Sequence, residues 1–188
     1  MQNSRKRERQ QKIRHKKDKA QPEILLAEEN PICLRHRELS ATVYDLPFVT
    51  EIAHERIAEA GLSDRISTQP GDFFADAQYP PDHDVMLLSM IMHDWSEREN
   101  RAIMRKCYDA LPPGGSVVIS ELLVNDDKTG PAPAALMSLN MLIETVGGRN
   151  YTAAELRTWL EDIGYCDVHT VLFEAAGANG AVIGRKPK

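Results

Sequence analysis

A histidine and an acid stand side by side at positions 93 and 94, directly after the apolar run 85–90, with Trp95 following. Imidazole titrates near neutral pH, so His93 at the end of such a run has the chemistry of a general base that takes a proton from a hydroxyl. Glu121 ends the core of the next apolar run. A carboxylate there can orient the imidazole and stabilise its protonated form. Two acids close earlier runs. Asp45 stands at the end of the run 41–46, and an acid at a strand end can accept hydrogen bonds from both hydroxyls of a ribose. Asp72 follows Gly71 with Phe73 beside it, a pairing suited to an adenine through one hydrogen bond and one stacked ring. Each of these types also has an ordinary use: Asp45 as a cap or loop acid, Gly71-Asp72 as a turn, His93 as a capping or surface histidine, Glu121 as a solvated strand-end acid. Position alone leaves both uses open. His15, His36, His54, His83 and His169 have no comparable surroundings. Asp72, Asp84 and His93 are the one set that could hold a cation; nothing fixes their geometry, and no metal is expected.

The elements that must position these residues can be read from periodicity. Residues 41–46 are β-branched and apolar and stop at Pro47, a strand; Val49, Ile52, Ala53, Ile57 and Ala60 recur at helical spacing up to Gly61. Residues 65–68 form a short strand before Gly71. The run 85–90 is continuously apolar, as a strand buried on both faces of a parallel sheet would be. Ser96 with Glu99 predicts a capping box, followed by Ile103, Cys107, Tyr108 and Leu111 on one helical face. A turn at 112–115 leads to a strand over 117–124, and 134–145 is a mixed apolar helix. Thr152 with Glu155 predicts a second capping box ahead of Leu156, Trp159, Leu160 and Ile163, with Gly164 as the stop. Residues 168–173 and 181–183 read as a closing hairpin. Strand and helix in alternation, then a hairpin, give an α/β class: a doubly wound open sheet with an antiparallel edge. In such sheets the crevice lies beyond the carboxyl ends of the strands, so Asp45, Asp72, Phe73, Ser89 to Asp94 and Glu121 are the residues to inspect.

The chain has 188 residues, 42% of them hydrophobic and 27% charged. That is enough for one domain with a real core and excludes a fully disordered chain. No apolar run approaches the roughly 18 residues of a membrane span, and the basic start does not resemble a secretory signal. Three cysteines, Cys33, Cys107 and Cys166, form neither a disulfide framework nor a zinc pattern, which suits a reducing cytoplasm. The net charge of −5 conceals an asymmetry: nine Lys/Arg oppose only Glu8 and Asp18 over residues 1–19, and the rest of the chain is acidic. We expect residues 1–21 to be a basic disordered tail. It lacks the interleaved aromatics of a nucleic-acid binder, so nucleic acid is not expected as a partner.

Seven pieces occur in order: Tyr44-Asp45-Leu46-Pro47, Gly71-Asp72-Phe73-Phe74, His93-Asp94-Trp95, Leu111-Pro112-Pro113-Gly114-Gly115, Glu121, Asn140-Met141-Leu142 and Gly147-Gly148-Arg149. Over roughly residues 24–187 the chain resembles the S-adenosylmethionine-dependent O-methyltransferases typified by caffeate, flavonoid and N-acetylserotonin O-methyltransferases. The stretch 121–142 is most similar to the acetylserotonin branch and its bacterial relatives. The resemblance implies a Rossmann-like seven-strand methyltransferase sheet with an antiparallel terminal hairpin. It implies S-adenosylmethionine as cofactor, with Asp45 on the ribose, Asp72 and Phe73 on the adenine, and Ser89 on the cofactor side. It makes His93 the general base, with Asp94 beside it and Glu121 orienting the ring. Met137, Asn140 and Met141 would line the pocket of a small-molecule acceptor carrying a hydroxyl, most simply a phenol.

The sequence departs from that pattern in three places. The family has a strand and a glycine-rich loop before the ribose acid, whereas the first glycine here is Gly61. The first strand is therefore expected to be missing, or rebuilt by residues 22–28. The family's N-terminal helical domain, which makes its dimer and one wall of its pocket, has no counterpart, which leaves a homodimer open. Asn150 stands where the family usually places a second acid after Gly-Gly-Arg; an amide can hydrogen-bond an imidazole but cannot offset its charge. Residues 22–188 thus read as a truncated catalytic domain, with a catalytically silent binding module as the alternative.

Overall fold

The computed structural model describes residues 29–175 and 177–188. The expected basic tail, and residues 22–28, lie outside the described residues. The chain divides into two compact units, one ending at Ala77 and one running from Gln78 to Lys188.

In the first unit, α1 (Glu29–Arg35) precedes β1 (Ala41–Asp45), α2 (Pro47–Glu59) and β2 (Ile66–Pro70). Pro47 ends the strand and opens the helix, where its missing N–H costs nothing. β1 and β2 pair in parallel, from Ala41 opposite Ile66 to Asp45 opposite Pro70. Cys33, Ala53, Ile57, Leu62 and Ile66 form the core, with Ala41 and Val43 against it. The Arg65 guanidinium closes the end of α1, its Nη1 donating to the carbonyls of Cys33 at 2.6 Å, His36 at 3.3 Å and Leu39 at 3.4 Å. Of these, the Cys33 carbonyl lies in the last turn of α1, where the helix itself supplies no donor.

The second unit holds β3 (Val85–Ser89), a 3-10 turn (Met92–Asp94), α3 (Glu97–Ala110), β4 (Ser116–Glu121), α4 (Ala132–Glu144), α5 (Ala153–Ile163), β5 (Cys166–Leu172) and β6 (Gly180–Arg185). Its sheet has the order β3-β4-β6-β5. β3 and β4 are parallel, and β6 is antiparallel to both β4 and β5. The hairpin expected from the sequence is present, but the strand that runs against the others sits one place in from the edge. β6 pairs on both sides and is mostly buried, while β5 at the edge is mostly exposed. Met104, Leu111, Val117, Ile119, Leu156, Leu160 and Val182 are fully or almost fully buried and make up the core of this unit.

The expectation that 85–90 is buried on both faces needs correction. Val85 is 53% exposed, and the rest of β3 is half-buried. β3 has a strand partner on one edge only among the described residues, and an edge strand is less covered than a central one. The strand expected over 117–124 stops at Glu121, and Val124 instead forms an isolated bridge with Thr152. α4 exposes Leu136, Leu139, Leu142 and Ile143.

Both capping boxes are in place. Glu99 accepts from the Ser96 N–H and hydroxyl, and Glu155 accepts from the Thr152 N–H at 2.9 Å while its own N–H donates to Thr152 Oγ1. Burial pushes the Glu155 carboxyl up, but hydrogen bonds from Arg149 and the Thr152 N–H, with Lys128 nearby, outweigh it and hold the group down at about 2 instead of 4.5. A depressed folded-state value means that the stabilisation is present above the unfolded value and lost as pH falls toward the folded one. Wild-type protein should therefore melt higher than Glu155→Gln above pH 4.5, and the two melting temperatures should converge as pH falls toward 2. A gap that does not change with pH would exclude the carboxylate as its origin.

Candidate active site

His93 lies in the 3-10 turn after β3 and is 6% exposed. The chain reaches this turn through Met90, whose φ of 53° is left-handed and unusual for a side chain of that size. Three neighbouring segments fix the turn. From α3, Asn100, fully buried, donates its Nδ2 to the carbonyls of Met92 at 2.8 Å and Trp95 at 3.2 Å. From the segment after α4, the Tyr151 hydroxyl donates to the Trp95 carbonyl at 2.6 Å.

Glu121, at the end of β4, does the third part of the work. It is 4% exposed, and its two oxygens are divided. Oε1 accepts the Met92 N–H at 2.7 Å, and Oε2 lies 2.8 Å from His93 Nδ1. A carboxylate accepts and cannot donate, so Nδ1 carries the hydrogen, and in the neutral imidazole Nε2 then keeps its lone pair. Asp94 Oδ1 lies 3.7 Å from Nε2. That is too far for a hydrogen bond, and close enough to attract an imidazolium.

Gly148 backs onto the same turn. A Cβ there would collide with the His93 carbonyl oxygen and the Thr145 hydroxyl, so only glycine permits this approach. Asn150 is buried; its N–H donates to Ser138 Oγ at 3.2 Å and its Nδ2 to the Leu122 carbonyl at 2.7 Å, while Oδ1 has no hydrogen-bond partner among the described residues. The sequence singled out His93, Asp94 and Glu121, and Gly148 only as part of the Gly147-Gly148-Arg149 motif; it did not single out Asn100 or Tyr151. A polar residue inside a helix and a tyrosine in a loop carry no signal that they anchor a distant turn.

The remaining predicted residues are distributed as follows. Ser89 is the last residue of β3, half-buried, opposite Ser120. On α4, Met141 is fully buried, Met137 is half-buried and Asn140 is exposed. In the first unit Asp45 is a buried acid at the end of β1, its Oδ1 accepting the Leu46 N–H at 2.7 Å. Its carbonyl accepts the Gly71 N–H at 2.8 Å, which ties the segment bearing Asp72 and Phe73 to the end of β1. Asp72 Oδ1 accepts the N–H groups of Phe74 at 2.8 Å and Ala75 at 3.1 Å. The turn chemistry open at this position is thus real, and it occupies one of the two carboxylate oxygens. Phe73 packs against Phe74 with ring centroids 5.0 Å apart.

A buried acid-histidine pair of this kind serves many chemistries, and the comparison with known proteins gives the family. Residues 27–166 match the model of the O-methyltransferase domain. The chain belongs to that family. It is 58% identical over 155 residues to a 3-hydroxy-5-methyl-1-naphthoate 3-O-methyltransferase of Streptomyces sahachiroi, covering 82% of this chain and 44% of that protein. Among solved structures, the apo form of the S-adenosylmethionine-dependent methyltransferase SibL matches with a TM-score of 0.76 and 31% identity, over 93% of this chain and 57% of that one. Human N-acetylserotonin methyltransferase in complex with S-adenosylmethionine matches with a TM-score of 0.73 and 28% identity, over 83% of this chain and 43% of that one. The chain thus spans less than half the length of the curated relative it matches at 58% identity. Family membership and the α/β class expected from the sequence are both established by these matches, and the acetylserotonin branch is among the relatives.

Proposed function

We propose that this chain carries the catalytic part of an O-methyltransferase, one that moves a methyl group from S-adenosylmethionine to a phenolic hydroxyl of a small molecule, with His93 as the base. One observation carries the reading: in a chain of this family, both oxygens of a buried Glu121 are committed, one to the Met92 N–H and one to His93 Nδ1, leaving Nε2 as the proton acceptor. A phenol is a weak nucleophile until its proton leaves. His93 takes that proton at Nε2, and Glu121 at Nδ1, with Asp94 near Nε2, stabilises the imidazolium. When bound, the cofactor supplies a methyl group on a sulfonium, already activated by its leaving group. Asp45 would take the ribose hydroxyls and Asp72 and Phe73 the adenine; Ser89 is likewise assigned to the cofactor. Met137, Asn140 and Met141 are assigned to the acceptor.

The donor set fits an adenosine. Asp45 is a buried carboxylate at a strand end, and Asp72 Oδ2 takes no hydrogen bond from the described residues. The relative at 58% identity is named for a hydroxylated naphthoate, so 3-hydroxy-5-methyl-1-naphthoate is the first acceptor to offer. We read the chain as having the family's seven-strand sheet with its first strand missing or rebuilt. Support for this is that β1 and β3 each lack a second strand partner among the described residues, and that no glycine precedes Gly61. Residues 22–188 are then the catalytic domain and 1–21 the basic tail.

The missing glycines favour a second reading, in which the chain binds without turnover. Calorimetric titration with S-adenosylmethionine followed by a turnover assay separates the two. We expect micromolar binding, weakened about tenfold or more by Asp45→Ala, the loss of hydrogen bonds to a charged group. Binding without methylation of any phenolic acceptor supports the silent module. No binding up to millimolar by a folded chain rejects both.

A further inference from the structure

Asp76 belongs to none of the motifs above, yet it is the centre of the loop that presents Asp72. Its Oδ2 accepts the Tyr44 hydroxyl at 2.5 Å and the Asp72 N–H at 3.1 Å, and its own N–H donates to the Asp72 carbonyl at 2.8 Å. Tyr44 immediately precedes Asp45 on β1. One carboxylate oxygen therefore ties the loop 71–76 to the strand that carries the proposed ribose acid. The tyrosine ring also lies against Gly71, where any Cβ would overlap it. Asp72 is held from two directions: Asp76 grips its main chain, and its own Oδ1 is spent on the Phe74 and Ala75 N–H groups. What remains to be directed is Oδ2, an acceptor suited to the exocyclic amine of an adenine.

We propose that Tyr44 and Asp76 are a positioning pair that aims Asp72 Oδ2 and thereby sets the affinity for the adenosine part of the cofactor. The proposal rests on the cofactor reading of Asp45 and Asp72 given above. Neither residue of the pair touches the ligand; both act through Asp72.

The test uses the full 188-residue chain, with S-adenosylhomocysteine and adenosine as probes in calorimetric titration. Asp76→Ala and Tyr44→Phe should each weaken both probes about tenfold, the scale of one lost hydrogen bond to a charged partner. Asp76→Asn should stay within about threefold of wild type, because its side-chain oxygen can still accept from both donors. In an Asp72→Ala background, Asp76→Ala should have no further effect. A merely structural role would instead weaken binding in both backgrounds. Tyr44→Phe keeps the ring against Gly71, so it reports on the hydrogen bond even if Asp76→Ala unfolds. Wild-type affinity in Asp76→Ala and Tyr44→Phe, or equal losses with and without Asp72, overturns the pair while the cofactor reading stands. Failure of the wild-type chain to bind either probe overturns that reading and the pair together.

Discussion

Replacing His93 by alanine should lower kcat for methyl transfer to a phenolic acceptor by about two to four orders of magnitude and leave the affinity for S-adenosylmethionine unchanged. The size follows from the usual worth of a positioned general base, and the split follows from the chemistry. His93 is assigned to the acceptor proton, and the ribose and adenine are assigned to residues of another unit. Glu121→Gln provides the companion measurement. A glutamine has a single side-chain acceptor oxygen, whereas the native carboxylate accepts from both the Met92 N–H and His93 Nδ1. With its oxygen on the Met92 N–H, the amide N–H2 can meet Nδ1 only if the imidazole carries its hydrogen on Nε2, which then cannot take a proton; with its oxygen on Nδ1, the Met92 N–H loses its acceptor. Turnover should fall about tenfold or more, with melting temperature reporting which arrangement is adopted. Both variants need to be assayed beside a cofactor titration. Full activity in His93→Ala removes it from the mechanism, whatever becomes of Glu121.

Gly148→Ala is the second large effect, and it reaches the same histidine from behind. The added methyl would collide with the His93 carbonyl oxygen and the Thr145 hydroxyl, and would stand 2.8 Å from the Asp94 carbonyl carbon. Two of these three are main-chain atoms, which have no rotamer to retreat into. The Thr145 hydroxyl is itself engaged, donating to the Met141 carbonyl at 2.8 Å and accepting the Gly148 N–H at 3.0 Å. The peptide joining His93 to Asp94 must therefore shift. Overpacking of this kind costs about 1–3 kcal/mol, to be read by denaturant unfolding. A displacement of the base by even ~1 Å can cost on the order of a hundredfold in rate. Adding Thr145→Ala should not restore activity, because the clash with the His93 carbonyl remains. Wild-type stability and turnover in Gly148→Ala would show that this backbone is more yielding than its contacts suggest.

Much of this architecture is local and was legible in the sequence. Ser96 with Glu99 and Thr152 with Glu155 mark helix starts at the residues where α3 and α5 begin, because capping chemistry depends only on spacing. The apolar run 85–90 and the acid at Glu121 place the proposed base just beyond one strand and its proposed partner at the end of the next. What was not legible depends on partners far along the chain. Asn100 reads as an ordinary polar residue within a helix, and only the turn packed against it reveals a buried double donor. Asp76 reads as a loop acid until Tyr44, 32 residues earlier, is seen to point at it. The apolar composition of 85–90 promised burial on both faces; composition records which side chains favour cover, and cannot say whether a neighbouring strand supplies it. The insertion of β6 between β4 and β5 is likewise a matter of pairing, to which hydropathy is blind.

The division of Glu121 between a main-chain N–H and the imidazole has a consequence for selectivity among the oxygens of one molecule. A histidine held at Nδ1, in a turn secured from three sides, can neither flip its ring nor exchange tautomers without breaking a buried hydrogen bond. Its lone pair points along a single line. With His93 as the proposed base, the hydroxyl methylated on an acceptor with several would be the one whose outline brings it onto that line, even where another is the stronger acid. Regiochemistry in such a site is a property of shape, and changing it would call for reshaping the walls around the acceptor while leaving the base untouched.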